Sequence, residues 1–329
     1  MFEKPFHSQD LARYTFLVTG GAGFIGSHIV EYLLRHGAGK VIVLDNLVTG
    51  KWENLRAFSG DSRLVTVLGD IRDADLVNSL MQEADYVSHQ AALGSVPRSI
   101  EDPLTTNDVN ITGFLTVLDA FRRAKRPRRM VYAASSSTYG DNTELPKRED
   151  RTGNPLSPYA VTKLVNELYA GVYGRLYGTD TIGLRYFNVF GPRQDPNGPY
   201  AAVIPLFMKA LITRQAPRIN GDGEQTRDFT FVENAVKANI LAFFAGPEAS
   251  NQVFNVAVGR RVSLLKLLDL LGEISGTMPV PRFGPTRPGD VRDSLADISK
   301  AEKLLGYKDL IPLEEGLKIT YDYFAQYYG

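Results

Sequence analysis

Short apolar runs alternate with longer segments of helical periodicity over the first part of the chain. Residues 16–18 form one such run, and apolar positions resume at helical spacing after a glycine-rich break, which predicts a strand, a loop and a helix. Further strands are predicted at 41–44, 64–68, 86–88, 130–134 and 182–186. Because helix-length segments separate these runs, we expect a doubly wound parallel sheet with helices on both faces, an α/β fold of the Rossmann type.

The pattern changes near residue 190, where loops rich in Pro, Gly and Asn begin to outweigh long helices. We therefore expect two domains, a sheet domain over 1–189 and a smaller mixed α/β domain over 190–329. A segment around 228–258 is expected to return to the first domain. The first thirteen residues are interpreted as an arm that packs on the surface or is partly disordered.

The glycine-rich break carries Gly20, Gly23 and Gly26 between the first strand and the first helix. Glycine permits a tight turn, a close approach of the backbone to a pyrophosphate, and close packing of helix on strand. The helix N-terminus adds free N–H groups and a partial positive charge. A glycine-rich turn alone is weak support for ligand binding, but the spacing is one residue from the common dinucleotide fingerprint.

A second strand ends at Asp45, about 20 residues after the last glycine, where a dinucleotide-binding fold places its ribose-binding acid. A carboxylate accepts hydrogen bonds from a ribose 2′-hydroxyl and repels a 2′-phosphate, so the sequence predicts NAD rather than NADP. Ligands lie beyond the carboxyl ends of the strands in such sheets, so residues at the next strand ends should border the cofactor. They are Asp70, Ile71, Gln90, Ala91 and Ala92.

Composition narrows the classes of partner. Lys plus Arg and Asp plus Glu both number 37, so no overall field attracts nucleic acid or an anionic membrane, and a small molecule is the expected partner. The cluster of arginines and lysines at 122–129 is interpreted as a solvated helix end. The chain has no cysteine, its four histidines lack metal-ligand spacing, and no stretch is apolar enough to span a bilayer. We expect no metal site and a cytoplasmic protein.

Tyr159 and Lys163 form the one Tyr-x-x-x-Lys of the sequence and project from the same face of a predicted helix over 158–177. A nearby ammonium and a positively charged nicotinamide ring would lower the pKa of a tyrosine from about 10 towards neutrality. Such a phenolate can take a hydroxyl proton while NAD takes the hydride from the same carbon. The serines at 135–137 offer a hydroxyl that relays this proton.

Together these motifs make the sequence resemble an extended short-chain dehydrogenase/reductase, closest to the UDP-hexose 4-epimerases and their UDP-N-acetylglucosamine subgroup. The resemblance covers nearly the whole chain. It rests on the glycine loop, Asp45-Asn46, Asp70-Ile71, the serine run ending in Tyr139-Gly140, Tyr159 and Lys163, Arg185-Tyr-Phe-Asn-Val-Phe-Gly-Pro192, and Arg287-Pro-Gly-Asp290.

The resemblance implies an isomerase with bound NAD. Tyr159 would remove the O4 proton, the C4 hydride would pass to NAD, and the 4-keto sugar would rotate before the hydride returns to its other face. Related dehydratases and decarboxylases carry a glutamate in the serine run, which this chain lacks. The proton relay is assigned to Ser135, with Ser136 as the alternative. The cofactor contacts implied are Gly20, Gly23, Phe24, Ile25, Gly26, Asp45, Asn46, Asp70, Ile71, Gln90, Ala91, Ala92, Tyr159, Lys163 and Tyr186.

The resemblance also implies the contacts to UDP. Asn188 and Arg227 would hold the diphosphate with help from Arg287, since arginine presents a planar fork of donors to phosphate. Asp290 would accept from the uridine ribose. Ala202 and Val203 would lie near the uracil or the sugar.

Small residues at the expected sugar wall point to the substrate. Ser294 and the pair Gly94 and Ser95 are small where relatives restricted to unsubstituted hexoses are bulky, which predicts UDP-N-acetylglucosamine and UDP-N-acetylgalactosamine as preferred substrates. UDP-glucose and UDP-galactose would be weaker ones. Arg98 leaves a UDP-glucuronic acid 4-epimerase as an alternative, and a non-catalytic NAD-binding sensor is a third, less favoured interpretation.

The predicted helices 103–125 and 158–177 are apolar on more than one face. By resemblance they would form a four-helix bundle with the same helices of a second copy, giving a homodimer. Burial within one subunit is the alternative explanation.

Overall fold

A computed structural model describes residues 1–198, 201–286 and 291–328. Its strands are β1 (Thr15–Thr19), β2 (Lys40–Asp45), β3 (Leu64–Leu68), β4 (Tyr86–His89), β5 (Arg129–Ser135), β6 (Thr181–Tyr186), β7 (Val189–Phe190), β8 (Arg218–Asn220), β9 (Thr226–Asp228), β10 (Thr230–Phe231), β11 (Gln252–Val256), β12 (Arg261–Ser263) and β13 (Arg282–Gly284). Its α-helices are α1 (Phe24–Arg35), α2 (Ala74–Met81), α3 (Val96–Glu101), α4 (Pro103–Asn107), α5 (Gly113–Arg123), α6 (Pro158–Tyr177), α7 (Val203–Ile212), α8 (Val232–Phe243), α9 (Leu264–Ser275), α10 (Ser299–Leu305) and α11 (Leu313–Tyr328).

The central sheet has seven parallel strands in the order β3-β2-β1-β4-β5-β6-β11. Its first six strands follow the order of a dinucleotide-binding fold, in which the connections reverse direction beside β1. The predicted Rossmann-type fold is therefore confirmed. The reversal opens a crevice at the carboxyl ends of β1 and β4.

Helices cover both faces of this sheet. One core packs α1 and α8 against the sheet around Phe16, Val18 and Phe254, and the other packs α2 and α5 around Leu17, Val87 and Phe114. The five strands between the edge strands β3 and β11 are buried on both faces, which explains why they read as continuous apolar runs rather than as alternating patterns.

Most of the chain after residue 190 forms a smaller unit beside the crevice. Helices α7, α9 and α11 share a third core that includes Phe207, Leu267 and Leu317. Short strand pairs β9–β12 and β8–β13 flank that core. Three later elements pack with the large sheet instead: β11 pairs with β6, α8 packs against α1, and α10 packs against β11 and α8. The two-domain division over 1–189 and 190–329 stays a proposal.

Two local features go beyond the sequence pattern. The arm is packed: Phe2 is 3% exposed, and the Phe6 ring stacks on Tyr32 of α1 with 4.9 Å between centroids. The helix predicted over 103–125 is interrupted by a π turn at Asp108–Thr112 and ends at Arg123. Buried Asn110 lies in that turn, and its side chain accepts a hydrogen bond from Leu93 N at 2.8 Å.

Candidate functional site

A cavity of about 1020 Å³ occupies the crevice at the carboxyl ends of the central strands. It runs from the loop after β2, past the ends of β1, β4, β5 and β6, to the segment that follows residue 290. Most of the predicted site residues line it: Gly20, Gly23, Phe24, Ile25, Gly26, Asp45, Asn46, Ile71, Gln90, Ala91, Ala92, Gly94, Ser95, Ser135, Ser136, Tyr159, Lys163, Tyr186, Asn188, Arg227 and Ser294.

The glycine loop has no room for side chains at two of its positions. Gly20 has φ +68°, and a Cβ there would lie 2.6 Å from the backbone nitrogen of Ala91. A Cβ on Gly26 would lie 2.1 Å from the carbonyl oxygen of Gly20. Gly23 is the N-cap of α1, so the first N–H groups of that helix open towards the cavity. The loop thus forms a backbone-lined, electropositive end wall.

The acid after β2 holds the neighbouring loops. Asp45 Oδ2 accepts a hydrogen bond from Ala22 N at 3.0 Å, and Oδ1 accepts one from Leu47 N at 2.9 Å. Each carboxylate oxygen has a second lone pair, so Asp45 keeps acceptor capacity towards the cavity. Its position beside the glycine loop matches the site of a ribose in a dinucleotide-binding fold.

Asp70 differs from its neighbours because its carboxylate is held within the protein. Arg72 donates to both of its oxygens, at 2.9 and 2.7 Å, and Asn46 donates to one of them at 2.9 Å. These hydrogen bonds keep the pKa of Asp70 far below its usual range. Asp70 therefore stays charged and orients Asn46, while Ile71 lines the cavity.

A buried polar network supports the middle of the cavity. Tyr186 donates to Gln90 Oε1 at 3.1 Å, and Asn239 of α8 donates to the Tyr186 hydroxyl at 2.7 Å. Gln90 in turn donates to Asn239 Oδ1 at 3.1 Å. Burial raises the pKa of Tyr186 to about 12, so its hydroxyl stays protonated and its orientation is fixed. Asn239 lies far along the chain from the others, and no spacing in the sequence predicts it.

The residues predicted to be catalytic lie together at the end of β5 and the start of α6. Ser157 caps α6 by accepting from Ala160 N at 3.2 Å, and Pro158 occupies the first turn, so Tyr159 and Lys163 face the strand end. Lys163 Nζ donates to Ala133 O at 2.8 Å and lies 6.0 Å from the centroid of the Tyr159 ring. Ser135 lies beside the Tyr159 hydroxyl and interacts with it.

The protonation states of this group follow from burial. Burial raises the pKa of Tyr159, and the hydrogen bond with Ser135 opposes that rise. Burial lowers the pKa of Lys163 to about 8, against the opposing charge of Glu167. The pKa of Tyr159 is thus not lowered by the protein alone, and the lowering that we predicted needs the positive charge of the nicotinamide ring as well.

The remaining predicted substrate contacts lie at the far end of the cavity. Asn188 has φ +37° and donates to Asp228 O at 3.1 Å, and Arg227 donates to Arg292 O at 2.9 Å. Ser294 N donates to Thr226 O at 3.1 Å, which holds the serine against β9. Ala202 and Val203 line an adjoining cavity of about 220 Å³ that shares Asn188 and Arg227 with the first. Arg287 and Asp290 lie outside the described residues.

The loop after β4 contributes two of the smallest residues. A Cβ built on Gly94 would meet no heavy atom within 4 Å, so open space surrounds it. Ser95 is the N-cap of α3 and accepts from Arg98 N at 3.2 Å. The Arg98 side chain also lines the cavity.

The described residues contain no cluster of three or more histidine, aspartate or glutamate side chains with metal-binding geometry. His28 and His89 are buried, and burial lowers the pKa of each to about 3, so both rings are neutral. His89 Nδ1 lies 2.8 Å from Thr19 Oγ1. Over the same described ranges, every helix is too short or too polar to cross a membrane.

Comparisons with known proteins agree with this geometry. The family model described as "NAD dependent epimerase/dehydratase family" matches residues 16–257. The chain is 39% identical over 310 residues to a UDP-glucose 4-epimerase of Mycolicibacterium smegmatis, covering 94% of this chain and 97% of that protein.

Two solved structures share the fold over nearly their whole length. A UDP-N-acetylglucosamine 4-epimerase from Methanobrevibacter ruminantium, in complex with UDP-N-acetylmuramic acid, is 40% identical with a TM-score of 0.90, and the match covers 95% of this chain and 99% of that one. A UDP-glucuronic acid 4-epimerase from Bacillus cereus, in complex with UDP-glucuronic acid and NAD, is 33% identical with a TM-score of 0.89, and the match covers 95% and 100% of the two chains.

Proposed function

The chain belongs to the NAD dependent epimerase/dehydratase family, and from that premise we propose that it interconverts UDP-N-acetylglucosamine and UDP-N-acetylgalactosamine. The protein is an isomerase, an NAD-dependent UDP-sugar 4-epimerase, as its relatives and structural neighbours are. The choice of sugar and the residue roles below are our proposal.

The residues present fit NAD. The glycine positions leave a backbone cradle that a Cβ would fill, and the N–H groups of α1 suit a pyrophosphate. Asp45 would hold a ribose, with Asn46 beside it and Asp70 orienting that asparagine. Gln90, Ala91, Ala92 and Tyr186 would border the ring at the centre of the cavity. Bound NAD supplies the acceptor and donor of the C4 hydride.

The chain's own residues move the proton. Tyr159 as a phenolate would accept the proton of the sugar O4, and Ser135 would hydrogen-bond that oxygen and pass the proton on. The Lys163 ammonium, fixed on Ala133 O, would stabilise the negative charge of the phenolate. In the return half of the cycle Tyr159 would donate the proton to the same oxygen.

Binding of UDP would leave the sugar free to turn. Asn188 and Arg227, with Arg287, would hold the diphosphate, and Asp290 would accept from the uridine ribose. Ala202 and Val203 line the adjoining cavity, whose size suits the uracil. Firm contacts at the nucleotide and few at the sugar are what a rotating 4-keto intermediate requires.

The observation that supports the N-acetyl sugar as substrate is the space around Gly94 and Ser294. Gly94 borders open space, and Ser294 lines the same cavity from the opposite segment. An N-acetyl group needs more room than a hydroxyl in both orientations of the sugar. A wall of glycine and serine leaves that room, whereas a bulky wall would admit unsubstituted hexoses alone.

The test replaces Ser294 by tyrosine. Because the added ring would occupy the space of the N-acetyl group, kcat/KM for UDP-N-acetylglucosamine should fall by at least about tenfold relative to that for UDP-glucose. Both rates are measured by separating the epimers after timed reactions without added cofactor. Ser294→Ala keeps the wall small and should keep the wild-type preference. A wild-type enzyme that converts UDP-glucose faster would contradict the proposal.

UDP-glucuronic acid is a second candidate because Arg98 lines the cavity from α3. A guanidinium at that wall could pair with a carboxylate at C6 of the sugar. Turnover of UDP-glucuronic acid in the same assay decides between the two. Faster conversion of the acid, lost in Arg98→Met, would replace the N-acetyl sugar as the assigned substrate.

We also propose that the protein is a homodimer. Helix α6 carries apolar side chains that are exposed in the single chain, including Leu168 at 61% and Leu176 at 68%. Leu104 on neighbouring α4 is 82% exposed. A second copy packed helix to helix on this face would bury them, which removes apolar surface from water.

A further inference from the structure

Helix α6 carries a third functional side chain one turn beyond Lys163. Tyr159, Lys163 and Glu167 are spaced i, i+4 and i+8, so they lie on one stripe of the helix. Lys163 is 3% exposed, and the Glu167 side chain is 8% exposed. The stripe faces the sheet, where Lys163 contacts β5 and Glu167 contacts β6.

Glu167 is held in a two-pronged ion pair. Arg185 of β6 donates from Nε to Glu167 Oε1 at 2.9 Å and from Nη2 to Oε2 at 2.7 Å. The Arg185 side chain is 4% exposed. This fork fixes the position of the carboxylate, because both of its oxygens accept from one planar guanidinium.

Arg185 also reaches the turn that follows the catalytic strand. Its guanidinium carbon lies 4.8 Å from the centroid of the Tyr139 ring, and Nη1 donates to Glu149 O at 3.2 Å. Tyr139 ends the turn Ser136–Tyr139 directly after Ser135. In the sheet, Arg185 is paired with Ala134, the residue before Ser135. One arginine thus links the glutamate of α6 to the serine turn.

The titratable and charged groups around Lys163 come from several elements. Tyr159 and Glu167 lie on its own helix and His89 lies on β4, while Tyr132 of β5 and Arg185 of β6 adjoin Glu167. Burial keeps His89 neutral by lowering its pKa to about 3, and burial raises the pKa of Tyr132, which is also neutral. Among these groups of the described chain, Glu167 is the carboxylate that opposes loss of the Lys163 charge.

We propose that Glu167, held by Arg185, is a positioning residue that keeps the Lys163 ammonium charged in the buried site. The ion pair places its carboxylate on the same helical face as Lys163, one turn away. A buried ion pair contributes little to stability beyond what apolar side chains of the same volume would give. In this protein the Glu167–Arg185 pair would act on the charge of Lys163, and the charge of Lys163 would act on Tyr159. The inference rests on the proposed roles of Tyr159 and Lys163 but not on the choice of sugar.

The experiment is the pH dependence of kcat for Glu167→Gln, using the UDP-sugar that the wild type converts fastest. Without the carboxylate, the pKa of Lys163 falls further, so the lysine loses its charge at lower pH. The alkaline limb of the profile should therefore move down by about 1 pH unit. Above that limb, the variant should lose about tenfold more turnover than it loses below it.

A second variant tests the same inference in case Glu167→Gln does not fold. Glu167→Gln leaves Arg185 short of a partner, whereas Glu167→Met with Arg185→Met replaces the pair by apolar side chains, a change that buried pairs often tolerate. The double variant also lacks the carboxylate, whose charge acts on Lys163 more strongly than that of Arg185, so its alkaline limb should move in the same direction but by less than in Glu167→Gln.

The matched control is Asp180→Asn. Asp180 accepts from Arg129 at 2.9 and 2.8 Å, and these two residues flank β5 and β6 at the end away from the cavity. Losing that pair should lower the melting temperature without moving the pH profile. Profiles that fall uniformly in all variants and keep the wild-type limb would overturn the inference.

Lys163→Met tests the proposed role of the lysine separately from the proposed role of Glu167. If it loses activity and the Glu167 variants keep the wild-type limb, the lysine role stands and the inference about Glu167 is wrong. If Lys163→Met keeps wild-type turnover and pH dependence, the proposed role of the lysine fails together with the inference.

Discussion

Ser135 and Ser136 are adjacent in the chain but differ in their hydrogen bonds. Ser135 Oγ accepts from Ser137 N at 3.2 Å and from Ser137 Oγ at 2.9 Å, and it interacts with the Tyr159 hydroxyl. Ser136 lines the cavity but stands outside this chain of hydroxyls. We expect Ser135→Ala to lower kcat by about 100-fold, the lower range for a lost proton-transfer group, and Ser136→Ala to have a much smaller effect.

The measurement is kcat at saturating UDP-sugar for both variants. Retained absorbance of bound NAD after gel filtration serves as the control for an intact site. A larger loss in Ser136→Ala would assign the proton relay to Ser136 instead.

Spacing within one helix could be interpreted from the sequence, but contacts between elements could not. Tyr159 and Lys163 were identifiable because one helical turn separates them. Glu167 continues the same spacing, yet nothing in the sequence assigns Arg185 to it, since that residue comes from a different strand. The sequence did not identify Asn239 as part of the site for the same reason. The pKa of Tyr159 depends on burial, which a motif does not report.

At the scale of elements, helix α6 has two faces with different surroundings. One face presents Tyr159, Lys163 and Glu167 to the sheet, and the other exposes Leu168 and Leu176. Charge at the centre of an apolar interface is costly, so we expect Leu168→Glu with Leu176→Glu to convert a dimer into a monomer. Sedimentation velocity at matched concentrations measures the change.

Leu68→Glu is the control for this prediction. Leu68 on the edge strand β3 is 68% exposed, the same as Leu176, but lies away from α6. It should leave the mass in solution unchanged. A wild-type protein that sediments as a monomer would contradict the homodimer itself.

The apolar pattern predicted the helices but not the irregularity between α4 and α5. Apolar spacing continues through Val109 and Phe114, so the pattern indicated one helix over 103–125. The π turn forms around Asn110, whose side chain bonds the backbone of Leu93 at 2.8 and 3.2 Å and Thr162 Oγ1 at 3.1 Å. Those partners belong to the loop after β4 and to α6, and periodicity carries no information about them.

At the scale of the molecule, two buried neutral histidines make stability depend on pH. The pKa of His28 and of His89 is lowered to about 3 by burial, whereas an unfolded chain has an ordinary value near 6.5. The unfolded state therefore binds more protons between those values, so stability is full above about pH 6.5 and is lost as the pH falls. Each histidine should cost about 2 kcal/mol of stability by pH 5.

Urea unfolding at pH 8 and at pH 5 measures this loss. His28→Gln is the informative variant, because a glutamine amide can donate to Pro192 O as His28 Nε2 does, at 2.9 Å, but does not titrate. Relative to the wild type, it should recover about 2 kcal/mol of the stability lost between pH 8 and pH 5. A variant that loses as much stability as the wild type over this range would contradict the assignment of His28 as a neutral ring.

The alternation of strands and helices was enough to predict the sheet and to predict that the site lies at the carboxyl ends of its strands. Within the later part of the chain, the segment around 228–258 that we expect to return to the first domain contains β11 and α8. Strand β11 and helix α8 follow the composition change near residue 190, yet they pair with β6 and pack on α1. A boundary read from composition marks where loops begin, whereas membership of a sheet is decided by backbone pairing across the chain.

Asn239 is synthesised well after the other residues of the cavity that it contacts, which affects when the site can form. Its side chain holds Gln90 and Tyr186 at the middle of the cavity, and α8 covers one face of the sheet. During synthesis on the ribosome, the glycine loop and Tyr159 emerge long before helix α8 does. A nascent chain ending near residue 190 therefore has Tyr159 and the glycine loop but lacks the part of the sheet's cover that α8 provides, and we expect cofactor loading to wait for the later segment. Truncation at the apparent boundary would yield an aggregation-prone fragment rather than a minimal cofactor-binding domain.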